Sequence, residues 1–216
     1  MKDELRVSGL LRLPSSARAC YVLAHGAGAG AGMKHPSMSA IAAGLAELGI
    51  ATLRFQFPYM ERGSRRPDPP PLCHAAVRAA VAEAARLVPG LPLVAGGRSF
   101  GGRMTSQAQA LEPLAGVRGL AFLGFPLHPA GQPSDGRAGH LAQVAIPLLF
   151  LQGTRDALAE RALIEAVVAR LGTRATLSLV EGADHSFRVP ARSGRTERQV
   201  LTEVLQRLAA WIDALR

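Results

Sequence analysis

The stretch Gly97-Arg98-Ser99-Phe100-Gly101 places one serine between two glycines in the pattern G-x-S-x-G. An apolar segment of strand type, residues 91–96, precedes it, and a segment of helical character, residues 102–111, follows it. This order predicts a strand, a sharp turn and a helix, with the Ser99 hydroxyl exposed at the tip of the turn. Small residues at 97 and 101 let the strand and helix backbones approach each other. The unpaired N–H groups at the start of the helix are expected to face the same point.

The rest of the chain alternates strand and helix patterns around this stretch. Strands are predicted at 4–13 (an edge strand), 20–24, 50–55, 117–123, 147–151 and 175–180, helices at 38–48, 72–88, 159–171 and 196–215, and loops at 57–71 and 125–139. This alternation predicts an α/β fold with a mostly parallel central sheet of about seven strands and helices on both faces. Residues 1–216 are expected to form a single domain, and the interval 124–145 is too short for a lid domain.

Composition narrows the class of protein. The chain has 216 residues, 48% of them hydrophobic, which suits one domain with a substantial core, and no apolar run is long enough to span a membrane. The net charge of +9 comes almost entirely from arginine, a bias typical of a GC-rich genome, so no nucleic-acid partner is expected. The N-terminus lacks the order of a secretory signal, and Cys20 and Cys73 form no disulfide framework. We therefore expect a cytoplasmic protein with reduced cysteines.

Three side chains that can take part in catalysis follow the carboxyl ends of predicted strands, where ligands bind in such sheets. In chain order they are Ser99, Asp156 and His185. A histidine can take the proton of a serine nucleophile, and a carboxylate can hold the imidazole in the required tautomer. Two alternatives remain open at this point: Asp156 caps the helix that follows it, or His185 is an ordinary surface histidine.

The negative charge of a tetrahedral intermediate requires N–H donors. We expect one from the Phe100 backbone and one from the glycine-rich loop 25–32, from Ala27 first and Gly28 next. Phosphate binding is the alternative for this loop, but it lacks G-x-G-x-x-G spacing and a Lys-Ser/Thr ending. His25 is expected to shape the turn of the loop.

The remaining polar residues give weaker signals. No paired histidine or cysteine spacing indicates a metal site, and no cofactor is expected. His128 is a further candidate for substrate binding. Arginines cluster in two loops that leave carboxyl ends of strands, at 62, 65 and 66 and at 188, 192 and 195. Arg65 and Arg66 are the candidates for attracting an anionic substrate, and a solvated rim without a ligand is the alternative.

These motifs resemble the α/β-hydrolase superfamily over essentially the whole chain, and most closely its small, lidless, dienelactone-hydrolase-like branch. Dienelactone hydrolases proper carry cysteine where this chain has Ser99. The stretches 25–30 (HGAGAG), 57–61 (FPYME) and 125–129 (FPLHP) are similar to bacterial relatives of the hydrolase-like domain in a subunit of a eukaryotic histone-acetyltransferase complex. Those eukaryotic relatives are similar to scaffold domains as much as to enzymes.

Two functions are therefore expected from the sequence. The first is a serine hydrolase that cleaves a carboxylic ester or thioester through an acyl-enzyme and prefers anionic substrates. The alternative is a non-catalytic binding or scaffold domain that retains the fold. The expected partner is a small-molecule ester, with no membrane partner, and the protein is expected to be a monomer or homodimer.

Overall fold

Seven strands form one sheet in the computed structural model, which describes residues 5–28 and 31–215. The strands are Gly9–Arg12 (β1), Ala19–Ala24 (β2), Ile50–Phe55 (β3), Leu93–Arg98 (β4), Val117–Leu123 (β5), Leu148–Gly153 (β6) and Ala175–Val180 (β7). Their spatial order is β1-β3-β2-β4-β5-β6-β7, with β1 antiparallel to β3 and all other neighbours parallel. The predicted mostly parallel sheet is confirmed. The edge strand is shorter than the predicted 4–13, and residue 4 lies outside the described residues.

Six α-helices lie around the sheet in the described part of the chain. They are Pro36–Glu47 (α1), Pro58–Glu61 (α2), Pro70–Leu87 (α3), Phe100–Leu111 (α4), Arg161–Leu171 (α5) and Glu197–Ala214 (α6), with 3₁₀ turns at Gly136–Gln143, Gly172–Arg174 and Ala191–Ser193. The predicted loop 57–71 contains α2, because a proline at the first helical position is already close to helical φ. The loop predicted at 125–139 passes into a 3₁₀ turn at Gly136, and α4 begins at Phe100 rather than at residue 102.

Two apolar clusters cover the two faces of the sheet. Successive residues of β2 point to opposite faces, so Tyr21 packs with α1 and α6, while Val22 lies in the cluster that includes α3, α4 and α5. Both side chains are almost completely buried. Burial on both faces explains why β2 is a continuous apolar run rather than an alternating one.

The six parallel strands end at the same edge of the sheet, and the loops that leave them meet there. Between β5 and β6 the chain forms only a loop and one 3₁₀ turn, so no lid domain covers this edge. In the described ranges no helix is long and apolar enough to cross a membrane.

Candidate active site

The turn after β4 holds Ser99 in a backbone conformation that side-chain-bearing residues rarely adopt. Its φ is 48° and its ψ is −116°, which persists only where the surrounding structure enforces it. The Ser99 N–H donates to the carbonyl oxygen of Leu123 at the end of β5, at 3.2 Å. The serine is thereby fixed at the carboxyl edge of the sheet, between β4 and α4.

Glycines make room for this turn. A Cβ at Gly97, whose φ is 150°, would lie 2.2 Å from the carbonyl oxygen of Ala24 in β2. A Cβ at Gly101 would lie 2.5 Å from the carbonyl oxygen of His25. The need for small residues at 97 and 101 is confirmed, but the close neighbour is the end of β2. The approach of α4 to its own strand takes place at Gly102, where a Cβ would lie 2.9 Å from the Gly97 carbonyl oxygen.

The structure brings Ser99, Asp156 and His185 together from the ends of three strands. Nε2 of His185 lies 2.8 Å from Oγ of Ser99, and Nδ1 lies 2.6 Å from Oδ2 of Asp156. An ionised carboxylate only accepts hydrogen bonds, so this network assigns the ring proton to Nδ1. Nε2 is then free to accept the hydroxyl proton of the serine. The Asp156 side chain is fully buried, whereas that of His185 is 21% exposed.

The carboxylate of Asp156 is held by two further donors. The Gln152 side-chain amide donates to Oδ2, and the backbone N–H of Leu158 donates to Oδ1 at 2.8 Å. The helix α5 begins later, with Glu160 as its N-cap, so the alternative that Asp156 caps this helix is wrong. Gln152 was not identified from the sequence, because the strand was predicted to end at residue 151; the amide in fact lies within β6, four residues before Asp156.

The loop after β7 presents the imidazole of His185. Oδ1 of Asp184 accepts from the backbone N–H groups of Ser186 and Arg188, at 2.8 and 2.9 Å. A Cβ at Gly124 would lie 3.3 Å from the Cε1 atom of His185, so a side chain at this position would crowd the ring. The glycine at 124 thus leaves room for the imidazole, and the turn at Asp184 fixes the backbone that carries it.

The predicted donor groups for an oxyanion flank Ser99. The N–H groups of Phe100 and Ala27 donate to no acceptor in the part of the chain that the structure describes. A Cβ at Gly26 would lie 3.8 Å from the Cβ of Ser99, so the glycine-rich loop passes within one side chain's reach of the serine. Gly28, the second candidate in this loop, is exposed and has a φ of 120°.

His25 supports this loop from within. It is fully buried, and its Nε2 accepts from the backbone N–H of Phe57 at 3.1 Å. Its Nδ1 then carries the proton and donates to the carbonyl oxygen of Gly26 at 2.7 Å. Burial lowers the pKa of His25, which favours the neutral ring that these two bonds require. His25 therefore ties the glycine-rich loop to the residues after β3, as expected of a residue that shapes the turn.

A cleft of about 210 Å³ opens above Ser99 and His185. Its other walls are the glycine-rich loop and the start of α1, with Ala27, His35, Ser37 and Arg98 among the lining residues. A larger groove of about 750 Å³ lies between β1 and α3, at Leu5, Leu53 and Ala80 among others, but none of the predicted site residues lines it.

Three predicted substrate-binding residues are not among those that line the cleft. Arg65 and Arg66 are exposed, and Arg66 lines a separate shallow groove with Arg62. His128 is 1% exposed; its Nδ1 donates to the Pro129 carbonyl oxygen, and its Nε2 accepts from the backbone N–H of Glu160. His128 therefore supports a loop and does not line the cleft, so its position does not support the predicted role in substrate binding. Within the described ranges no group of three His, Cys, Asp or Glu side chains is arranged to hold a metal ion.

Comparison with known proteins agrees with this architecture. A family described as "Alpha/beta hydrolase domain" matches residues 17–213. Among solved structures, the chain is similar to a dienelactone hydrolase from Anabaena variabilis, with 23% identity, a TM-score of 0.75, and coverage of 98% of this chain and 93% of that one. It is similar to an alpha-beta serine hydrolase homologue from Coxiella burnetii, with 20% identity, a TM-score of 0.74, and coverage of 94% and 91%.

A serine hydrolase without a lid from Xanthomonas campestris gives 20% identity, a TM-score of 0.73, and coverage of 95% of this chain and 89% of that one. At these identities the solved structures establish the fold alone. The family match spans most of the chain, and the sheet order and the turn at Ser99 agree with it. The chain belongs to the α/β-hydrolase family.

Proposed function

We propose that the protein is a serine hydrolase that cleaves carboxylic esters or thioesters through an acyl-enzyme. One observation carries the proposal: the two ring nitrogens of His185 lie at hydrogen-bond distance from Ser99 Oγ and Asp156 Oδ2. This is the arrangement in which a histidine activates a serine and a carboxylate orients the histidine. A non-catalytic scaffold domain would not require this arrangement of the three side chains.

In the first half-reaction, Ser99 Oγ forms a bond to the carbonyl carbon of the substrate, and its proton passes to Nε2 of His185. The carbonyl oxygen becomes an oxyanion, which the N–H groups of Phe100 and Ala27 stabilise. The bond to the leaving group then breaks, and His185 returns the proton to the departing alkoxide or thiolate. Asp156 stays ionised throughout and stabilises the imidazolium.

In the second half-reaction, water attacks the acyl-enzyme, with His185 as the base for its proton. The new tetrahedral intermediate collapses, the bond to Ser99 Oγ breaks, and His185 returns the proton to the serine. The products are a carboxylic acid and a free alcohol or thiol, so the atoms balance without a further reactant. The open cleft above Ser99 suits substrates that reach the site directly from solution.

A panel of small 4-nitrophenyl esters and acyl thioesters tests the proposal. Ser99→Ala is expected to lower the rate by about 10⁴-fold or more, His185→Ala nearly as much, and Asp156→Asn somewhat less. Hydrolysis at an undiminished rate by Ser99→Ala would contradict the proposal.

The chain offers a matched control in a second serine–histidine pair. Oγ of Ser106 lies 2.8 Å from Nε2 of His140, but Ser106 is fully buried and its hydroxyl donates to the Arg103 carbonyl oxygen. This hydroxyl cannot reach a substrate. Ser106→Ala is therefore expected to keep the activity of the unmodified protein.

A further inference from the structure

Arg98, the residue before Ser99, lines the catalytic cleft without a counter-ion. Its Nη1 donates to Oγ of Ser37 at 2.6 Å. Among residues 5–28 and 31–215 no carboxylate lies within ion-pair distance of its guanidinium. Burial lowers the pKa of Arg98, as expected for a cation removed from water. Arg98 is partly buried, and the one hydrogen bond to Ser37 leaves further N–H donors of its guanidinium available to a ligand in the cleft.

Ser37, which accepts the hydrogen bond from Arg98, carries no charge that could neutralise the guanidinium. Nδ1 of His35 accepts from the backbone N–H of Ser37 at 3.2 Å, so this nitrogen carries no proton. The Ser37 hydroxyl therefore donates to the same Nδ1, at 2.7 Å, and accepts from Arg98. The proton of the His35 ring is then on Nε2, and His35 also lines the cleft. Arg98 and His35 thus present N–H donors on this wall.

The charges around Arg98 do not cancel its own. Ser37 lies in the first turn of α1, which contains no acidic residue, and the amino end of a helix carries partial positive charge. Asp184 attracts the guanidinium but forms no ion pair with it, and Arg188 repels it. The wall of the cleft beside the nucleophile is therefore positive.

We propose that Arg98 binds an anionic oxygen group, a carboxylate or a phosphate, on the ester that Ser99 attacks. An anion at this place would accept from the N–H donors of Arg98 that face the cleft, and it would supply a counter-charge for Arg98 and for the start of α1. The inference rests on the proposed function and names its substrate class. It assigns the preference for anions to a residue in the cleft, in place of Arg65 and Arg66.

Matched substrates test this assignment. On the acyl side, phenyl valerate is compared with monophenyl adipate and with the phenyl ester of 5-phosphonooxypentanoic acid. On the alcohol side, benzyl acetate is compared with 4-carboxybenzyl acetate. In at least one comparison, kcat/KM is expected to favour the anionic ester by about tenfold or more, the effect of a charge-assisted hydrogen bond. The preference should weaken between about 0.02 M and about 0.5 M salt. The carboxylate and phosphate arms distinguish the two sources of the anion.

Arg98→Gln is expected to remove the preference by raising KM for the anionic ester about ten- to a hundredfold, a clearly larger change than for the neutral ester. Arg98→Lys should restore part of it. Arg118→Gln removes the same charge from an exposed position at the opposite end of the sheet and should keep the preference. Equal losses on neutral and anionic esters in Arg98→Gln would show that Arg98 only supports the turn, and would overturn the inference.

Two further outcomes are decisive. If Arg65→Gln/Arg66→Gln removes the preference and Arg98→Gln does not, the anion binds at the rim and the inference is wrong. If neutral esters are hydrolysed through Ser99 without any preference for anions, the inference fails while the proposed function stands.

Calorimetric titration with adipate and with inorganic phosphate gives a readout independent of catalysis. Binding is expected in the unmodified protein and should weaken in Arg98→Gln; its absence would count against the inference even if no ester is hydrolysed.

Discussion

The side-chain amide of Gln152 donates to Oδ2 of Asp156, the same oxygen that lies 2.6 Å from Nδ1 of His185. Gln152 is itself fully buried, and its Oε1 accepts from the backbone N–H of Phe125 at 2.9 Å. The amide thereby connects the loop after β5 to the carboxylate and limits the positions that the carboxylate can take. We regard Gln152 as a positioning residue, since it acts on His185 through Asp156.

Gln152→Leu is expected to lower kcat about tenfold with little change in KM, because the carboxylate that orients His185 loses one of its donors. It should also cost about 1–3 kcal/mol of unfolding free energy, because the Phe125 N–H is left without an acceptor. Gln109→Leu is the matched control, since Gln109 is buried and accepts from the backbone N–H of Leu114 away from the cleft. Urea unfolding and steady-state kinetics on both variants check this. A comparable fall of kcat in both would contradict a positioning role.

Gly101→Ala is expected to damage the site more than the fold. The new Cβ would lie 2.5 Å from the backbone oxygen of His25, so the start of the glycine-rich loop must move, and Ala27 with it. We expect kcat to fall about tenfold or more and the unfolding free energy to drop by about 1–3 kcal/mol. Gly139→Ala is the control, because a Cβ there meets nothing within 4 Å. Normal kcat in Gly101→Ala would argue against an oxyanion role for the loop.

The partly buried environment of His140 is expected to lower the free energy of unfolding at acidic pH. Burial, with Arg103 and His74 nearby, lowers the pKa of His140 from 6.5 to about 4. Between these values the unfolded chain binds a proton that the folded protein does not, so stability falls as the pH drops through this window. His25 and His74, whose pKa values burial also lowers, add to the same trend.

His140→Gln removes one of these groups and is expected to flatten the pH dependence of stability. Between about pH 7 and about pH 5, the unmodified protein should lose about 1 kcal/mol more than the variant, an amount that allows for solvent screening of the partly exposed ring. Urea unfolding at the two pH values measures the difference. Identical losses in the two proteins would show that His140 does not contribute.

The sequence predicted the sheet and the group around Ser99 because both follow from local pattern and topology. Apolar runs such as that of β2 identify buried parallel strands, and their carboxyl ends must meet at one edge. Ser99, Asp156 and His185 each follow such an end, so their proximity could be inferred without knowledge of side-chain packing.

The parts of the site that the sequence did not reveal depend on the path of loops and on where individual side chains point. Arg98 is the last residue of β4 and follows five buried positions, and nothing in the sequence determines that its side chain lines the cleft while those of Arg65 and Arg66 do not. His128 follows a strand end as His185 does, but its loop turns inwards and buries it. Gln152 was hidden because its strand was predicted to end at residue 151.

The central claim is that Ser99 is the nucleophile, and covalent labelling followed by peptide mass spectrometry tests it most directly. A fluorophosphonate probe is expected to add one phosphonyl group to the peptide that contains Ser99. The adduct should be absent in Ser99→Ala, strongly slowed in His185→Ala and undiminished in Ser106→Ala. An adduct on a different serine, or ester hydrolysis that continues in Ser99→Ala without any adduct, would contradict the account.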